Sequence, residues 1–241
     1  MISKKLHAGW LWKADNKELI LHVGDERWAY VLRNNALLTG DTEDGKTSLI
    51  KALLVDLMTE YSPKDFGFVY IGLKERVKDI KRSPHVISVV DYSSEDLVRY
   101  ALATAQYAAI DATMKHNGKH ILVVVDEFSN IPIEFSMWKT IVDDMTARGV
   151  HFLFAVQAKE KAAVDALLNI TTFGLRISLR SPGEAIYYQG NIIFIDYVDV
   201  RDVRSDQMER FRFSNVDHLD LNKFVKKLLW KAHGYTNASR F

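Results

Sequence analysis

The sequence predicts an α/β fold in which helices flank a predominantly parallel β-sheet, with a small β-meander at the N-terminus. Two observations support this prediction. Short apolar segments of strand length alternate along the chain with longer segments whose apolar residues recur at helical spacing. One short segment, HILVVV at 120–125, is almost entirely aliphatic, which is typical of a strand covered on both faces inside a parallel sheet.

The chain divides into three predicted parts. Residues 1–32 contain three short apolar segments separated by turn-forming residues, and we predict the β-meander there. Residues 33–216 form the α/β core. Residues 217–241 are predicted to be a C-terminal amphipathic helix and tail, because leucines recur on one face with lysines opposite. We expect that apolar face to dock on the core rather than on a membrane.

Within the core, strands and helices are expected to alternate, which favours parallel strands joined by helical crossovers. Ser93 and Ser94 followed by Glu95 and Asp96 are typical of a helix N-terminus. The predicted strands lie at 36–39, 67–73, 85–90, 120–125, 150–156, 174–179 and 191–195. The predicted helices lie at 48–61, 96–115, 137–149 and 159–169.

Composition excludes several classes of site. The 32 Lys and Arg residues nearly balance the 31 Asp and Glu residues, so any nucleic-acid contact requires a local basic patch or oligomerisation. There is no cysteine, which excludes disulfides and thiolate metal ligands. The longest uninterrupted aliphatic segment, 121–125, is far shorter than a membrane span. We therefore expect a soluble, cytoplasmic protein.

Residues 40–47, GDTEDGKT, fit the phosphate-binding pattern G-x-x-x-x-G-K-[ST] between a predicted strand and a predicted helix. The glycines permit tight turns, and the loop amides and the helix N-terminus bind phosphate. Lys46 is expected to reach the β- and γ-phosphates of ATP, and the Thr47 hydroxyl to bind Mg²⁺. The alternative is an Asp/Gly turn in an unrelated α/β protein. The predicted nucleotide contacts come from Gly40, Asp41, Thr42, Glu43, Asp44, Gly45, Lys46, Thr47 and Ser48.

The loop also carries three carboxylates, at Asp41, Glu43 and Asp44, where an anionic ligand is expected to bind. The acids at Glu43 and Asp44 add negative charge beside the phosphates, so we predict weak nucleotide affinity. Replacing Glu43 with glycine and Asp44 with serine is expected to lower the dissociation constant for ATP.

A second motif, ILVVVDE at 121–127, is an aliphatic strand that ends in two acids, as a Walker B element does. Asp126 is expected to hold the Mg²⁺ shell and Glu127 to polarise the attacking water. About 80 residues separate Lys46 from Asp126, which suits a RecA-like P-loop NTPase with strands between the motifs. Gln157, at the end of a later strand, is a candidate γ-phosphate sensor. The alternative is a core strand that exits into an acidic loop.

The order of these segments resembles the FtsK/SpoIIIE motor domain of the FtsK–HerA superfamily of DNA translocases. VVVDEF at 123–128 resembles the family's Walker B element, including the aromatic residue after the glutamate. ARGVHFLFAVQ at 147–157 is similar to A-x-G-I-H-L-x-x-A-T-Q, and GLRISLRS at 174–181 to T-R-I-A-F-x-V-S. SPHV at 83–86 resembles I-P-H-L. The resemblance covers roughly residues 20–205.

This resemblance implies a ring-forming ATPase, often hexameric, that moves double-stranded DNA through a central pore. Arg176 matches the arginine of the R-I-A-F strand and is the candidate trans-acting arginine, with Arg180 and Arg148 as competitors. Lys159 and Lys161 are candidate pore residues, although solvated helix lysines are the simpler interpretation. The expected function is a minimal DNA motor of a mobile element, phage or plasmid, acting in DNA transfer, packaging or replication. The alternatives are an ATPase module of a type VII-like protein secretion system and a nucleotide-binding scaffold with weak or lost hydrolysis.

Overall fold

The computed structural model describes most of the predicted core and parts of both ends of the chain. The described residues are 10–15, 18–23, 29–31, 35–41, 44–115, 119–171, 173–181, 184–189, 208–212 and 220–232. The strands are β1 (Trp10–Asp15), β2 (Glu18–Val23), β3 (Ala29–Val31), β4 (Asn35–Gly40), β5 (Phe66–Ile71), β6 (Val86–Val90), β7 (His120–Val125), β8 (Val150–Gln157), β9 (Phe173–Ser181), β10 (Glu184–Gln189) and β11 (Met208–Arg212). The helices are α1 (Lys46–Glu60), α2 (Glu95–Met114), α3 (Phe135–Ala147), α4 (Lys161–Ile170) and α5 (Leu221–Ala232), with 3₁₀ turns at Lys74–Val77 and Phe128–Asn130.

The main sheet has the strand order β11-β10-β9-β4-β8-β7-β5-β6. The six strands from β9 to β6 are parallel, and their helical connections lie on both faces, so the predicted α/β fold class is confirmed. β10 and β11 extend one edge in antiparallel orientation. The sequence did not predict this antiparallel extension, and the strand predicted at 191–195 lies outside the described residues.

The N-terminal strands β1, β2 and β3 form a separate antiparallel sheet in that order, which is a β-meander. The boundaries proposed for the three parts, 1–32, 33–216 and 217–241, stay a prediction. No helix within the described ranges is both long and apolar enough to cross a membrane.

The core has two apolar layers, one on each face of the main sheet. α1 and α5 cover one face, where Leu221, Val225 and Leu228 of α5 are buried. α2, α3 and α4 cover the other face, where the buried Trp138 contacts an aromatic cluster edge-on. All six residues of β7 are buried, as its aliphatic sequence predicts. β7 is therefore shielded from solvent along its whole length, up to the two acids that follow it.

Local sequence sets where two of the helices begin. Gly45, at the start of α1, has a left-handed backbone with φ 92°, which glycine adopts without steric cost. Ser94 caps α2, because its side chain accepts a hydrogen bond from the Leu97 amide at 3.3 Å. The sequence placed the start of the first helix at Ser48, whereas α1 already begins at Lys46 directly after the loop.

Candidate nucleotide-binding site

The predicted loop, the Walker B acids and Gln157 meet at one edge of the sheet. β4, β8 and β7 are adjacent and parallel, so their carboxyl ends lie side by side. Gly40 and Gln157 are partners in the register of β4 and β8. The amide of Ala158 donates to the carbonyl of Gly40 at 3.2 Å. In an open parallel sheet this edge is where ligands bind.

Gly40 is required by its surroundings. A Cβ atom at this position would lie 2.8 Å from Cβ of Leu179 and 3.4 Å from Oδ2 of Asp44. The absence of a side chain therefore lets β4 turn into the loop against β9. Thr42 and Glu43, two of the predicted nucleotide contacts, lie outside the described residues, while Ser48 is half-buried in the first turn of α1.

Lys46 is folded back onto the loop. Its Nζ donates to the carbonyls of Gly40 and Asp41, both at 2.7 Å, and the side chain is buried. Burial lowers the pKa of Lys46, and the nearby charges of Asp126 and Asp44 partly oppose that shift. The ammonium group is thus held at the mouth of the loop by two carbonyl groups, which a phosphate can replace.

Asp44 lies across the loop. Its Oδ2 accepts a hydrogen bond from the Asp41 amide at 2.6 Å, and its own amide donates to the Asp41 carbonyl at 3.3 Å. The carboxylate therefore adds negative charge within the loop. The expectation that this charge weakens nucleotide binding stays a prediction.

Thr47 and Asp126, the two predicted metal ligands, are brought together. Thr47 Oγ1 lies 3.4 Å from Oδ2 of Asp126, which is completely buried. The same oxygen accepts from the Tyr70 hydroxyl at 2.7 Å and from Nη1 of Arg76 at 3.1 Å. The other oxygen, Oδ1, is buried and has no hydrogen-bond partner among the described residues. A hydroxyl and a carboxylate with an unsatisfied oxygen fit Mg²⁺, which prefers few protein oxygen ligands together with phosphate and water.

Glu127 is held by three donors. Its Oε1 accepts from Nη2 of Arg76 at 2.6 Å, and its Oε2 accepts from the Tyr92 hydroxyl at 2.8 Å and from Asn130 Nδ2 at 3.2 Å. Burial alone would raise the pKa of Glu127. The hydrogen bonds from Arg76 and Tyr92 and the charge of Arg76 outweigh burial and hold that pKa below its usual value. Glu127 therefore carries its negative charge at neutral pH.

Tyr70, Arg76 and Tyr92 were missed by sequence reasoning. Tyr70 belongs to β5, which is a neighbour of β7, and Arg76 follows β5. Tyr92 follows β6, the next strand beyond β5, and a tertiary arrangement brings all three to the acids. One signal was available: Tyr70 is a single polar side chain in the otherwise apolar segment FGFVYI. The carboxyl ends of strands on either side of a Walker B strand are the places to search for such groups.

Two of the candidate trans-acting arginines, Arg176 and Arg180, are in β9, and the third, Arg148, follows α3. Arg176 is in the middle of β9. Its register partner in β4 is Leu37, which is three residues before Gly40. Arg148 is exposed after α3 and forms an ion pair with Asp144 at 3.0 Å. For Arg180 the side chain lies outside the described part of the chain. The role of an arginine in trans stays a prediction, as does that of the exposed Lys159, which precedes α4, and Lys161, the first residue of α4.

Comparison with known proteins agrees with the resemblance seen in the sequence. The model of the FtsK/SpoIIIE family matches residues 14–108. The ESX-5 secretion system protein EccC5 of Mycobacterium tuberculosis is 24% identical over 188 residues, which cover 63% of this chain and 13% of EccC5. The chain therefore corresponds to a small part of that relative's length.

Solved structures share the fold. ATPases 2 and 3 of EssC from Geobacillus thermodenitrificans superpose with a TM-score of 0.59 at 13% identity, covering 88% of this chain and 47% of that one. ATPases 2 and 3 of Thermomonospora curvata EccC, in complex with a signal sequence peptide, superpose with a TM-score of 0.58 at 14% identity, covering 94% and 48%. These likenesses confirm the RecA-like α/β fold of a P-loop ATPase domain.

Proposed function

We propose that this FtsK/SpoIIIE-type P-loop domain binds ATP with Mg²⁺, hydrolyses it, and uses the energy to move a polypeptide, as one module of a type VII-like secretion ATPase. One observation carries the enzymatic part of the proposal. Lys46, Thr47 and the pair Asp126–Glu127 converge at the carboxyl edge of one parallel sheet. Each of these side chains is of the type that phosphoryl transfer to water requires at its position.

The chain's own groups have distinct roles in this proposal. Lys46 exchanges its two loop carbonyls for phosphate oxygens, and the amides at the start of α1 bind the same group. Thr47 and Asp126 hold the metal, and Mg²⁺ supplies charge neutralisation for the phosphates. Glu127, ionised, accepts a hydrogen bond from the attacking water and orients it. Gln157, in register with Gly40, contacts the terminal phosphate in this proposal.

The relatives favour a polypeptide as the substrate. The secretion system protein EccC5 and the solved EccC and EssC ATPases are among the proteins that this chain resembles, and one of those structures holds a signal sequence peptide. A net charge of +1 gives no independent argument for a polyanion. Double-stranded DNA is the competing substrate, since the matching family model is that of FtsK/SpoIIIE.

We also propose that the module works in a homo-oligomeric ring, with six subunits as the favoured number. In such a ring Arg176 acts in trans on the nucleotide of the neighbouring subunit. The position of Arg176 in β9, away from the cluster around Lys46, supports a role outside its own subunit's site. An arginine supplied in this way contributes about 10³–10⁵ to the rate in well-studied ATPases and GTPases.

ATP hydrolysis measured with and without long double-stranded DNA, at low and moderate salt, tests the choice of substrate. The Lys46→Ala and Glu127→Gln variants are the controls for site-dependent turnover. We expect wild-type turnover that depends on both residues and is indifferent to DNA. Strong stimulation by DNA that both variants abolish would instead support a DNA motor. Tight ATP binding with no turnover would support a nucleotide-binding scaffold.

A further inference from the structure

One guanidinium group contacts both Walker B acids. Nη1 of Arg76 lies 3.1 Å from Oδ2 of Asp126, and Nη2 lies 2.6 Å from Oε1 of Glu127. The Arg76 side chain is 29% exposed, whereas those of Asp126 and Glu127 are 0% and 15% exposed. A half-buried cation thus bridges two largely buried anions that are adjacent in the chain.

We propose that Arg76 is a positioning residue that holds Asp126 and Glu127 in a closed arrangement and competes with Mg²⁺ for them, so that binding of Mg²⁺ and nucleotide requires Arg76 to release both acids. This inference rests on the proposed function. It adds the guanidinium group of Arg76 as a competitor of the metal for the two acids.

Crowding at Asp126 is the first argument. Oδ2, the oxygen that lies next to Thr47, already accepts from Thr47, Tyr70 and Arg76, so a metal held jointly by Thr47 and this oxygen can bind only if a donor leaves. Tyr70 is fully buried in β5, and Thr47 is itself an expected metal ligand. Arg76 is partly exposed, is not an expected metal ligand, and has a long side chain that can move towards solvent.

Occupancy at Glu127 is the second argument. Oε1 is taken by Arg76, and Oε2 by Tyr92 and Asn130. A carboxylate oxygen can accept two hydrogen bonds, so Oε2 is filled by its two donors and a water must bind Oε1, where it shares or replaces the contact with Arg76. Release of Arg76 frees Oε1, while Tyr92 and Asn130 keep the carboxylate in place. In this proposal the closed arrangement therefore opens as the ligand binds.

The charges of the site favour the exchange of Arg76 for Mg²⁺. Asp126 and Glu127 contribute two negative charges. Without a cation between them the two carboxylates repel each other, because they are largely shielded from solvent. Arg76 compensates one of these charges in the empty site. Mg²⁺, with two positive charges, would compensate more of this charge than Arg76 does, so the exchange would not leave the buried carboxylates unpaired.

Three variants test the inference. Arg76→Met removes the charge and keeps most of the side-chain length, and Arg76→Lys keeps the charge but not the two-armed geometry. Arg99→Met is the matched control, because Arg99 forms an ion pair with Glu95 on the exposed surface of α2. The backbone turn at Arg76 is held by its own amide, which donates to the Leu73 carbonyl at 2.9 Å, and by the buried Val77.

The main measurement is the Mg²⁺ concentration that gives half-maximal binding of a fluorescent, non-hydrolysable ATP analogue to the full chain. Arg76→Met is expected to lower that concentration about tenfold relative to wild type, the order expected for the loss of one charge-assisted contact. Arg76→Lys is expected to fall between them, and it carries the test if Arg76→Met does not fold. Arg99→Met is expected to match wild type.

A second measurement uses the metal alone. Without nucleotide, Arg76→Met is expected to have a lower Tm than wild type, because its two acids lack a cation. Millimolar Mg²⁺ is expected to raise the Tm of Arg76→Met more than that of wild type. Equal Mg²⁺ requirements in wild type and Arg76→Met, or a higher requirement in the variant, would overturn the inference alone. If neither protein binds nucleotide at any Mg²⁺ concentration, the proposed function fails and the inference fails with it.

Discussion

The hydroxyl of Tyr70 donates a hydrogen bond of 2.7 Å to Oδ2 of Asp126, and both side chains are completely buried. This contact joins the end of β5 to the end of β7 beneath the proposed metal site. Burial, reinforced by the negative charge of Asp126, raises the pKa of Tyr70 above its usual value, so the phenol remains a donor. A donor that is fixed in the core in this way sets the orientation of the carboxylate before any ligand binds.

Removal of this donor is expected to destabilise the fold. Tyr70→Phe leaves a buried carboxylate oxygen with one partner fewer, and the free energy of unfolding is expected to fall by about 1–3 kcal/mol. Urea unfolding measures the change. Tyr92→Phe is the matched control, since it removes a hydroxyl that contacts the more exposed Glu127. A smaller loss in Tyr70→Phe than in Tyr92→Phe would contradict this account.

The conformation of the loop depends on Gly40. Gly40→Ala places a Cβ atom 2.8 Å from Cβ of Leu179, so β4 or β9 must shift at a cost of about 1–3 kcal/mol. We expect a weaker affinity for ATP as well, because the Gly40 carbonyl contacts Lys46 and Ala158. Nucleotide titration followed by fluorescence measures the affinity.

Gly149 is the control for that substitution. It has φ +82° and no atom within 4 Å of an added Cβ, so Gly149→Ala introduces backbone strain without a clash. Its stability is expected to fall while its ATP affinity stays at the wild-type value. Unchanged ATP affinity in Gly40→Ala would show that the close contact with β9 does not shape the loop.

The charge of Asp44 provides a third prediction. Asp44→Ser removes a carboxylate that lies on the loop and is expected to lower the ATP dissociation constant by about threefold to tenfold at low salt. The difference is expected to shrink as salt rises, because screening weakens the repulsion. Asp143→Ser, on the exposed face of α3, removes the same charge at a distance and is the control. A higher dissociation constant in Asp44→Ser would mean that its hydrogen bond to Asp41 matters more than its charge.

The pH dependence of stability is expected to reflect Asp56. This residue of α1 is 5% exposed, and burial, with the charge of Glu60 in addition, raises its pKa from 3.8 to about 8. The folded protein therefore binds more protons than the unfolded chain between these values. Its contribution to stability is full below the unfolded pKa and is lost as pH rises towards and through the folded pKa, with a slope of up to about 1.4 kcal/mol per pH unit.

Asp56→Asn tests that contribution, because the amide stays neutral across the range. The variant is expected to be more stable than wild type at pH 8 and to lose less stability between pH 5 and pH 8. Thermal unfolding at a series of pH values provides the measurement. Asp143→Asn, at an exposed position, is the control. Identical pH profiles for wild type and Asp56→Asn would contradict a raised pKa at this position.

Sequence reasoning was most successful where a feature depends on residues that are close together in the chain. The loop at 40–47 and the strand at 120–125 have local patterns, and the parallel order follows from alternating strands and helices. These gave the fold class correctly. The antiparallel pair β10 and β11 was not predicted, because the pairing of edge strands depends on tertiary contacts rather than on a local pattern.

The motifs of the site were predictable from the sequence, but the side-chain contacts that surround them were not. Lys46, Thr47 and Asp126 lie close together in the fold, as their motifs predict. Arg76 lies 50 positions before Asp126, and a single sequence contains no signal that the two side chains touch. The same is true of Tyr92 and Glu127. The direction in which the Asp44 side chain points could likewise not be predicted, since a side chain in a loop can point towards or away from the ligand.

The most direct test of the central claim is one comparison of ATP binding and ATP turnover in wild type, Lys46→Ala and Glu127→Gln. Wild type is expected to bind ATP in a Mg²⁺-dependent manner and to hydrolyse it. Glu127→Gln is expected to bind ATP at least as tightly as wild type and to turn it over about 10²–10⁴ times more slowly. Lys46→Ala is expected to lose binding and turnover together. Turnover at the wild-type rate in both variants would contradict the assignment of this edge of the sheet as the catalytic site.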